Sequence, residues 1–444
     1  MLNERANTDL EGHKSLSKYW PYITLPANIA IGPISALIIL QILALNGNVL
    51  DASYAITLGT AITIPASYFW GKISDIYNSR RRQILVSYIG ITICIASLFF
   101  SKSVLEIIIA YMALNFFSIA NATPLNLLVM ESTKKEHWPS TFSKLQTISS
   151  VGITLGFVVA VFATTSTSLS NLILLLVTAS IISILMSNKL VWSPPIKATR
   201  LSIIKNSFAF ISRMLMHPII SVQEPTSKFF ERIFKLKRVS KRLEHTNYIT
   251  LLYISGFIFF AGSAILYTIY PAGLSQYGLK ESSVFFVLLF ALILQTSTFF
   301  YSGRYVESHL THRIIKRSLI FRAVCYLLLA ISFIFLTGNS FFFANVIFYA
   351  LASGVAYSFY YTASYSLVFK ELKGIDKGSG LGLYSTITSL GTLVGAYLSG
   401  QLAYNYGYGT TFIMAGSLIF LTFYIYTLMP NRQVEKKGAA LVAV

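Results

Sequence analysis

The sequence predicts an all-α integral membrane protein of twelve transmembrane helices, arranged as two pseudo-symmetric six-helix bundles. Three observations predict it. Of the 444 residues, 55% are apolar and only 11% are charged, against about 25% charged in an ordinary soluble chain. Apolar runs bounded by charge recur twelve times along the chain, most of them near the ~20 residues that a helix needs to cross a bilayer. Lysine and arginine fall almost wholly on alternate connections between those runs. This composition excludes a water-soluble enzyme. It also excludes a disordered chain, because aromatics alone reach 14%.

The runs span 23–46, 51–70, 84–101, 104–130, 141–164, 168–188, 248–270, 283–302, 318–337, 340–367, 380–404 and 409–429. Each must be helical, because lipid offers no partner to an unpaired backbone group. With the N-terminus placed inside, segments 1–22, 71–83, 131–144, 188–247, 303–317, 370–377 and 431–444 hold 32 of the 35 lysines and arginines. The outside loops hold two, Lys102 and Lys280, while Arg322 lies one turn inside the ninth run and is expected to snorkel to the cytoplasmic surface. This asymmetry predicts a multi-pass plasma-membrane protein with both termini cytoplasmic. It also accounts for the net charge of +19 without a nucleic-acid partner.

The domain organisation follows. A cytoplasmic tail (1–22) precedes an N-terminal bundle (23–188), a basic linker (189–247), a C-terminal bundle (248–429) and a second tail (430–444). The linker holds two basic amphipathic stretches, Leu201–His217 and Phe229–His245, suited to an anionic lipid surface or to capping the cytoplasmic mouth. No cleavable signal peptide is expected. Cys94 and Cys325 both sit in apolar runs and read as packing residues. All six histidines fall in or beside cytoplasmic segments. No metal site, no cofactor and no catalytic constellation is therefore expected.

The chain repeats itself. Between runs 2 and 3 it reads Gly71-Lys-Ile-Ser-Asp75-Ile-Tyr-Asn-Ser-Arg80-Arg81-Arg82, and between runs 8 and 9 Gly303-Arg-Tyr-Val-Glu307-Ser-His-Leu-Thr-His-Arg313. Gly71 and Gly303, Asp75 and Glu307, and Arg81 and Arg313 are each 232 residues apart. Gly152 and Gly156 of run 5 recur as Gly391 and Gly395 of run 11, 239 residues on. Duplicated bundles of this kind are a common build for secondary transporters.

The segment Gly71–Arg82 resembles the cytoplasmic signature of the major facilitator superfamily: a glycine, an acid four residues on, and a basic cluster after a short turn. The resemblance implies a secondary transporter, not an enzyme, that moves a small organic solute by alternating access. Export is slightly favoured. The alternatives are import or uniport of a sugar or other neutral metabolite, and a non-transporting sensor on a transporter fold. Gly71, Asp75, Arg80, Arg81, Arg82, Gly303, Glu307 and Arg313 would then gate the cytoplasmic side and latch the outward-open state. Gly152, Gly156, Gly391 and Gly395 would serve close helix packing. A monomer in the bilayer is expected, with protons as the candidate coupling ion.

The sequence also departs from the family. Many of its drug/proton antiporters carry an arginine about twelve residues before a proline in the fourth helix; with Pro124 as that proline, the place is taken by Met112. No Asp or Glu falls at mid-membrane: Asp51 and Glu106 lie near the outer rim, and Asp75, Glu131 and Glu307 near the inner one. Proton coupling of the usual kind is thereby put in doubt.

In the family, helices 1, 4, 7 and 10 flank the central cavity. Helical phase assigns a polar stripe to each of these runs. In run 10, Tyr357, Tyr360 and Tyr361 share one arc of about 160° with Tyr349 and Ser353. Run 7 offers Tyr253, Ser263 and Tyr267, run 4 Tyr111, Asn115 and Ser118, and run 1 Asn28 and Ser35. These are the expected cavity residues. A cavity of Tyr, Asn and Ser without a fixed charge suits neutral, aromatic or cationic solutes.

Overall fold

In the computed structural model, residues 19–76, 80–122, 124–125, 128, 138–166, 169–191, 243–308, 310–371 and 377–429 are described. Among them every regular element is helical, and ten segments are long and apolar enough to cross a membrane. One of the ten, Tyr384–Leu428, is two helices joined at Gly407, and Val104–Ile119 is a further, shorter apolar helix. Twelve spans result.

We number them as follows. The first, α1, combines a short 3-10 turn (Trp20–Ile23) with Thr24–Ile31 and Ile34–Ala44, and α2 combines Val49–Ala61 with Thr63–Ile76. Next come α3 (Arg80–Phe100), α4 (Val104–Ile119), α5 (Trp138–Ser166) and α6 (Leu169–Leu190). The second half holds α7 (Leu243–Gln276), α8 (Glu281–Ser308) and α9 (Thr311–Phe335). In α10, Gly338–Tyr349 and Tyr357–Glu371 flank a π-helical turn, Ala350–Ala356. The last two, α11 (377–406) and α12 (408–428), meet at Gly407, whose φ of 80° ends one helix and starts the next. The linker residues 192–242 lie outside the described set.

The helices start where local chemistry provides partners for free amides. Asn48 caps α2, and Asp51 reaches back to the Asn48 N–H at 2.9 Å, a reciprocal capping box. At α4 the Ser103 hydroxyl accepts from the Glu106 N–H at 3.3 Å, and the Glu106 carboxylate accepts from the Lys102 N–H, one residue before the cap, at 2.8 Å. Asp51 and Glu106 are thus spent on helix starts. Asn46, at φ 61°, turns the chain between α1 and α2.

The two bundles are built alike. Helix α5 packs on α1, and α11 on α7; α6 packs on α3, and the α11–α12 segment on α9. The glycines explain how closely the first pairs approach. A Cβ at Gly152 or Gly156 would come within 2.6 and 2.4 Å of the carbonyl oxygens of Leu25 and Ile29. At Gly391 and Gly395 it would come within 2.4 and 2.2 Å of those of Phe257 and Ala261. Without a side chain at those positions, backbone can lie against backbone. Between bundles, α5 meets α8 and α2 meets α11, again a symmetric pair of contacts.

Candidate functional site: a cavity between the bundles

Between the bundles lies a cavity of about 340 Å³. The N-terminal half contributes Ser35 from α1, Thr60 from α2, Tyr111 from α4, and Ile153 and Phe157 from α5. The C-terminal half contributes Tyr267, Thr268 and Pro271 from α7, Gln295 from α8, and Tyr349 and Ser353 from α10. The lining is uncharged, half of it aliphatic or glycine and half aromatic, hydroxyl or amide. Thr268 is 1% exposed, and its hydroxyl has no hydrogen-bond partner among the described residues. The wall therefore offers apolar surface, four aromatic rings and a few neutral hydrogen-bonding groups, which suits a small, partly aromatic molecule.

One end of the cavity is sealed by contacts across the interface. Ser53 Oγ donates to the Ala396 carbonyl at 2.6 Å and accepts from the Gly400 N–H at 3.2 Å. Gln401 Nε2 donates to the Tyr54 hydroxyl at 2.9 Å, and Phe157 packs edge-on against Phe285 with ring centres 6.1 Å apart. The opposite end carries the two repeated basic loops. There, a Cβ placed on Gly71 or Gly303 would meet nothing within 4 Å among the described residues.

The loop residues predicted as a gate are distributed as follows. Arg80 is buried and donates to the Ser74 carbonyl at 3.0 Å and to its hydroxyl at 3.3 Å. Arg81 donates to the Asn188 side chain, tying α3 to α6. Arg82 is exposed. Arg313 lies with Arg317, Phe321 and Phe359 on a groove at the outer face of α8, α9 and α10. The side chains of Asp75 and Glu307 lie outside the described residues.

Of the predicted cavity residues, Ser35, Tyr111 and Tyr267 line the cavity. Asn28 donates to the Thr24 carbonyl at 2.7 Å and faces the Gly152 seam. Asn115 donates to the Tyr111 carbonyl at 2.9 Å, beside Gly59, and the Ser118 hydroxyl is buried without a partner among the described residues. Tyr253 packs on Tyr384, with ring centres 5.8 Å apart. Tyr360 is buried and stacked on Phe259 at 3.6 Å, inside the C-terminal bundle. Tyr361 lies between Tyr357 and Tyr365 at 5.6 and 4.4 Å. The π turn explains this distribution: it shifts the helical phase between Tyr349–Ser353 and Tyr357–Tyr361, which a uniform 100° per residue places on one face. Thr60, Thr268 and Gln295 were not singled out from the sequence. Gln295 carried a visible signal, as a lone amide in the apolar run of α8.

Arg322 does not snorkel. Helix α9 begins at Thr311, seven residues before the predicted start, so Arg322 sits near its middle. It is only 4% exposed. Its Nε and Nη2 donate to the Tyr326 hydroxyl at 3.1 and 2.7 Å, Nη2 to Ser263 Oγ at 3.2 Å, and Nη1 to the Ala352 carbonyl at 3.3 Å. The rings of Phe259, Tyr326 and Tyr357 stand 5.0 to 5.1 Å from the guanidinium carbon. Ser263 and Tyr357, predicted as cavity residues, thus hold this cation instead.

The family model of the Major Facilitator Superfamily matches residues 23–370 and 320–442. The chain belongs to that superfamily. No curated protein sequence gives a significant match. Among solved structures, the chain is similar to nucleoside transporter NupG, with 12% identity, a TM-score of 0.67 and coverage of 93% of this chain and 98% of that one. It is similar to a POT family transporter in complex with a thioalcohol-conjugated peptide, at 12% identity and TM-score 0.68, covering 94% of this chain and 96% of that one. A POT family transporter in complex with 5-aminolevulinic acid gives 11% identity and TM-score 0.66, with 94% and 96% covered. At these identities the likeness shows the fold. The family membership makes this a multi-pass membrane protein of the transporter class.

Proposed function

We propose that this superfamily member is a plasma-membrane secondary transporter that exports a small organic solute by alternating access. The observation that carries the reading is the cavity of about 340 Å³ at the bundle interface, sealed at one end by the Ser53 and Gln401 contacts. The charge distribution supports placing the basic end in the cytoplasm. On that placement the cavity is sealed from outside, and the conformation faces inward. In the return stroke the α2–α11 contact opens, and the loops around Asp75 and Glu307 close the cytoplasmic side. The aromatic lining supports an organic rather than an inorganic cargo.

Alternating access requires the Tyr54–Gln401 contact to break in every cycle. A Tyr54→Cys, Gln401→Cys pair bridged by a short bis-maleimide, which adds one cysteine thiol across each of its two C=C bonds, should stop transport. The native thiols of Cys94 and Cys325 are buried and would not compete. The readout is accumulation of anionic and cationic fluorescent dyes in cells lacking their own drug pumps, compared with empty vector. Lower accumulation that the bridge abolishes supports the reading. Flux that persists through the bridge, or accumulation equal to the vector for every dye, overturns it.

A further inference from the structure

Arg322 is a fixed positive charge in the middle of a membrane helix, and each of its hydrogen-bond acceptors is a neutral oxygen. A guanidinium has five N–H donors. Four are bonded here, and no carboxylate among the described residues pairs with it. Burying a cation this way is costly, and three aromatic faces offset only part of that cost. Charges retained at such depth mark solute or ion pathways.

Its surroundings lead to the cavity. Ser263, which accepts from Arg322, lies one helical turn before the cavity residue Tyr267. Ala352, whose carbonyl also accepts, precedes the cavity residue Ser353. That carbonyl belongs to the π turn, a local unwinding often found at functional sites. Thr268 also lines the cavity, with a buried hydroxyl that has no partner among the described residues. Tyr267 is 42% exposed, whereas Tyr111 and Tyr349 of the same wall are 9% and 8% exposed.

We propose that Arg322 is the counter-charge for an anionic group on the transported solute, so that the substrate class is small aromatic organic anions. This rests on the transport reading above. The solute's carboxylate or phosphate pairs with Arg322 once Tyr267 turns aside, and the Thr268 hydroxyl donates a second hydrogen bond. The aromatic part of the solute packs on Tyr111 and Tyr349. In the unloaded carrier Tyr326, Ser263 and Ala352 hold the guanidinium in place. In the loaded carrier the pair is electrically neutral while the bundles rock. The empty carrier returns with the Arg322 charge unpaired, a membrane potential negative inside drives that return, and the net movement of anion is outward, in keeping with export.

The test is thermal unfolding of the purified full chain in detergent. The probes are benzoate and phenyl phosphate, set against benzamide and benzyltrimethylammonium. The two anions should raise the Tm of the wild type, and the neutral and cationic probes should not. Arg322→Gln should erase that selectivity, and Arg322→Lys should keep it with about tenfold weaker binding, since charge survives but the planar fork is lost. A merely structural arginine would lower the Tm of the variants and leave the anion-induced shift intact. The proposal is overturned if no anion shifts the wild type, if benzamide or the cation shifts it equally, or if Arg322→Gln keeps the anion shift. Should Arg322→Gln fail to fold, Arg322→Lys decides: unchanged benzoate affinity overturns the proposal. Benzoate flux in proteoliposomes separates the two claims. Arg322-dependent binding without flux sinks the transport reading alone, whereas transport indifferent to solute charge sinks only the anion assignment.

Discussion

The two halves share a scaffold and differ in what they place inside it. In the first, α5 lies against α1 through Gly152 and Gly156; in the second, α11 lies against α7 through Gly391 and Gly395. The repeat offset of 232 residues sets Arg322 of α9 opposite Gly90 of α3. At Gly90 the space is filled by Phe117, whose ring would stand 2.3 Å from an added Cβ. At Arg322 the corresponding interior holds a guanidinium, three rings and neutral oxygens. One half is closed with hydrocarbon, while the other keeps a charge close to the cavity. A duplicated fold can thus retain its packing seams in both copies and develop polar chemistry in only one, because seams depend on backbone approach and chemistry on a few side chains.

The largest effect should come from the seams. Gly156→Leu and Gly395→Leu would each drive a side chain into a backbone carbonyl, at 2.4 and 2.2 Å already for the first carbon. Both variants should lose all transport and at least ~3 kcal/mol of stability, because backbone cannot step aside as a side chain can. Unfolding of the detergent-solubilised variants and dye accumulation would show it. Loss in one half only would break the equivalence of the seams.

A smaller effect is expected at the loops. Asp75→Asn should slow transport several-fold with the fold intact, and Glu307→Gln should slow it less, since the first copy has three consecutive arginines nearby and the second lacks that cluster. Normal flux in Asp75→Asn would remove the latch from the first loop. The smallest effect should come from paired tyrosines of the cavity wall. Tyr349→Phe and Tyr111→Phe keep the ring and lose one hydroxyl, so probe affinity should change by no more than the ~1 kcal/mol of one neutral hydrogen bond. A larger loss at Tyr349 than at Tyr111, read in the same Tm titration, would sharpen the view that the C-terminal half handles the polar part of the solute.

Much of the fold was legible in the sequence. The ninth run was the least accurate in a way that mattered: a start at 318 puts Arg322 at the edge of the membrane, whereas Thr311-His312-Arg313 already belongs to α9. Polar residues in the first turns of a membrane helix resemble loop, since hydropathy marks the lipid core and not the helix end. The cavity was legible in part. Ser35, Tyr111 and Tyr267 sit on its wall, as one-helix phase can indicate where the helix is regular. Tyr357, Tyr360 and Tyr361 follow the π turn, and no periodicity reveals where a helix adds a residue to a turn. Thr268 and Gln295 are isolated polar residues, which phase alone cannot separate from interhelical contacts.

The sequence by itself determined the membrane class, the twelve spans, the charge asymmetry between their ends and the duplication. These depend on apolar run length, on charge and on spacing, all of which are local along the chain. Only the tertiary structure decided which face of each helix meets the cavity, which end of the interface is sealed, and that Arg322 is buried among rings. Those depend on each helix's rotation about its own axis and on its neighbours. Both are set by side chains hundreds of residues apart, as where Ser53 meets Ala396 and Gly400.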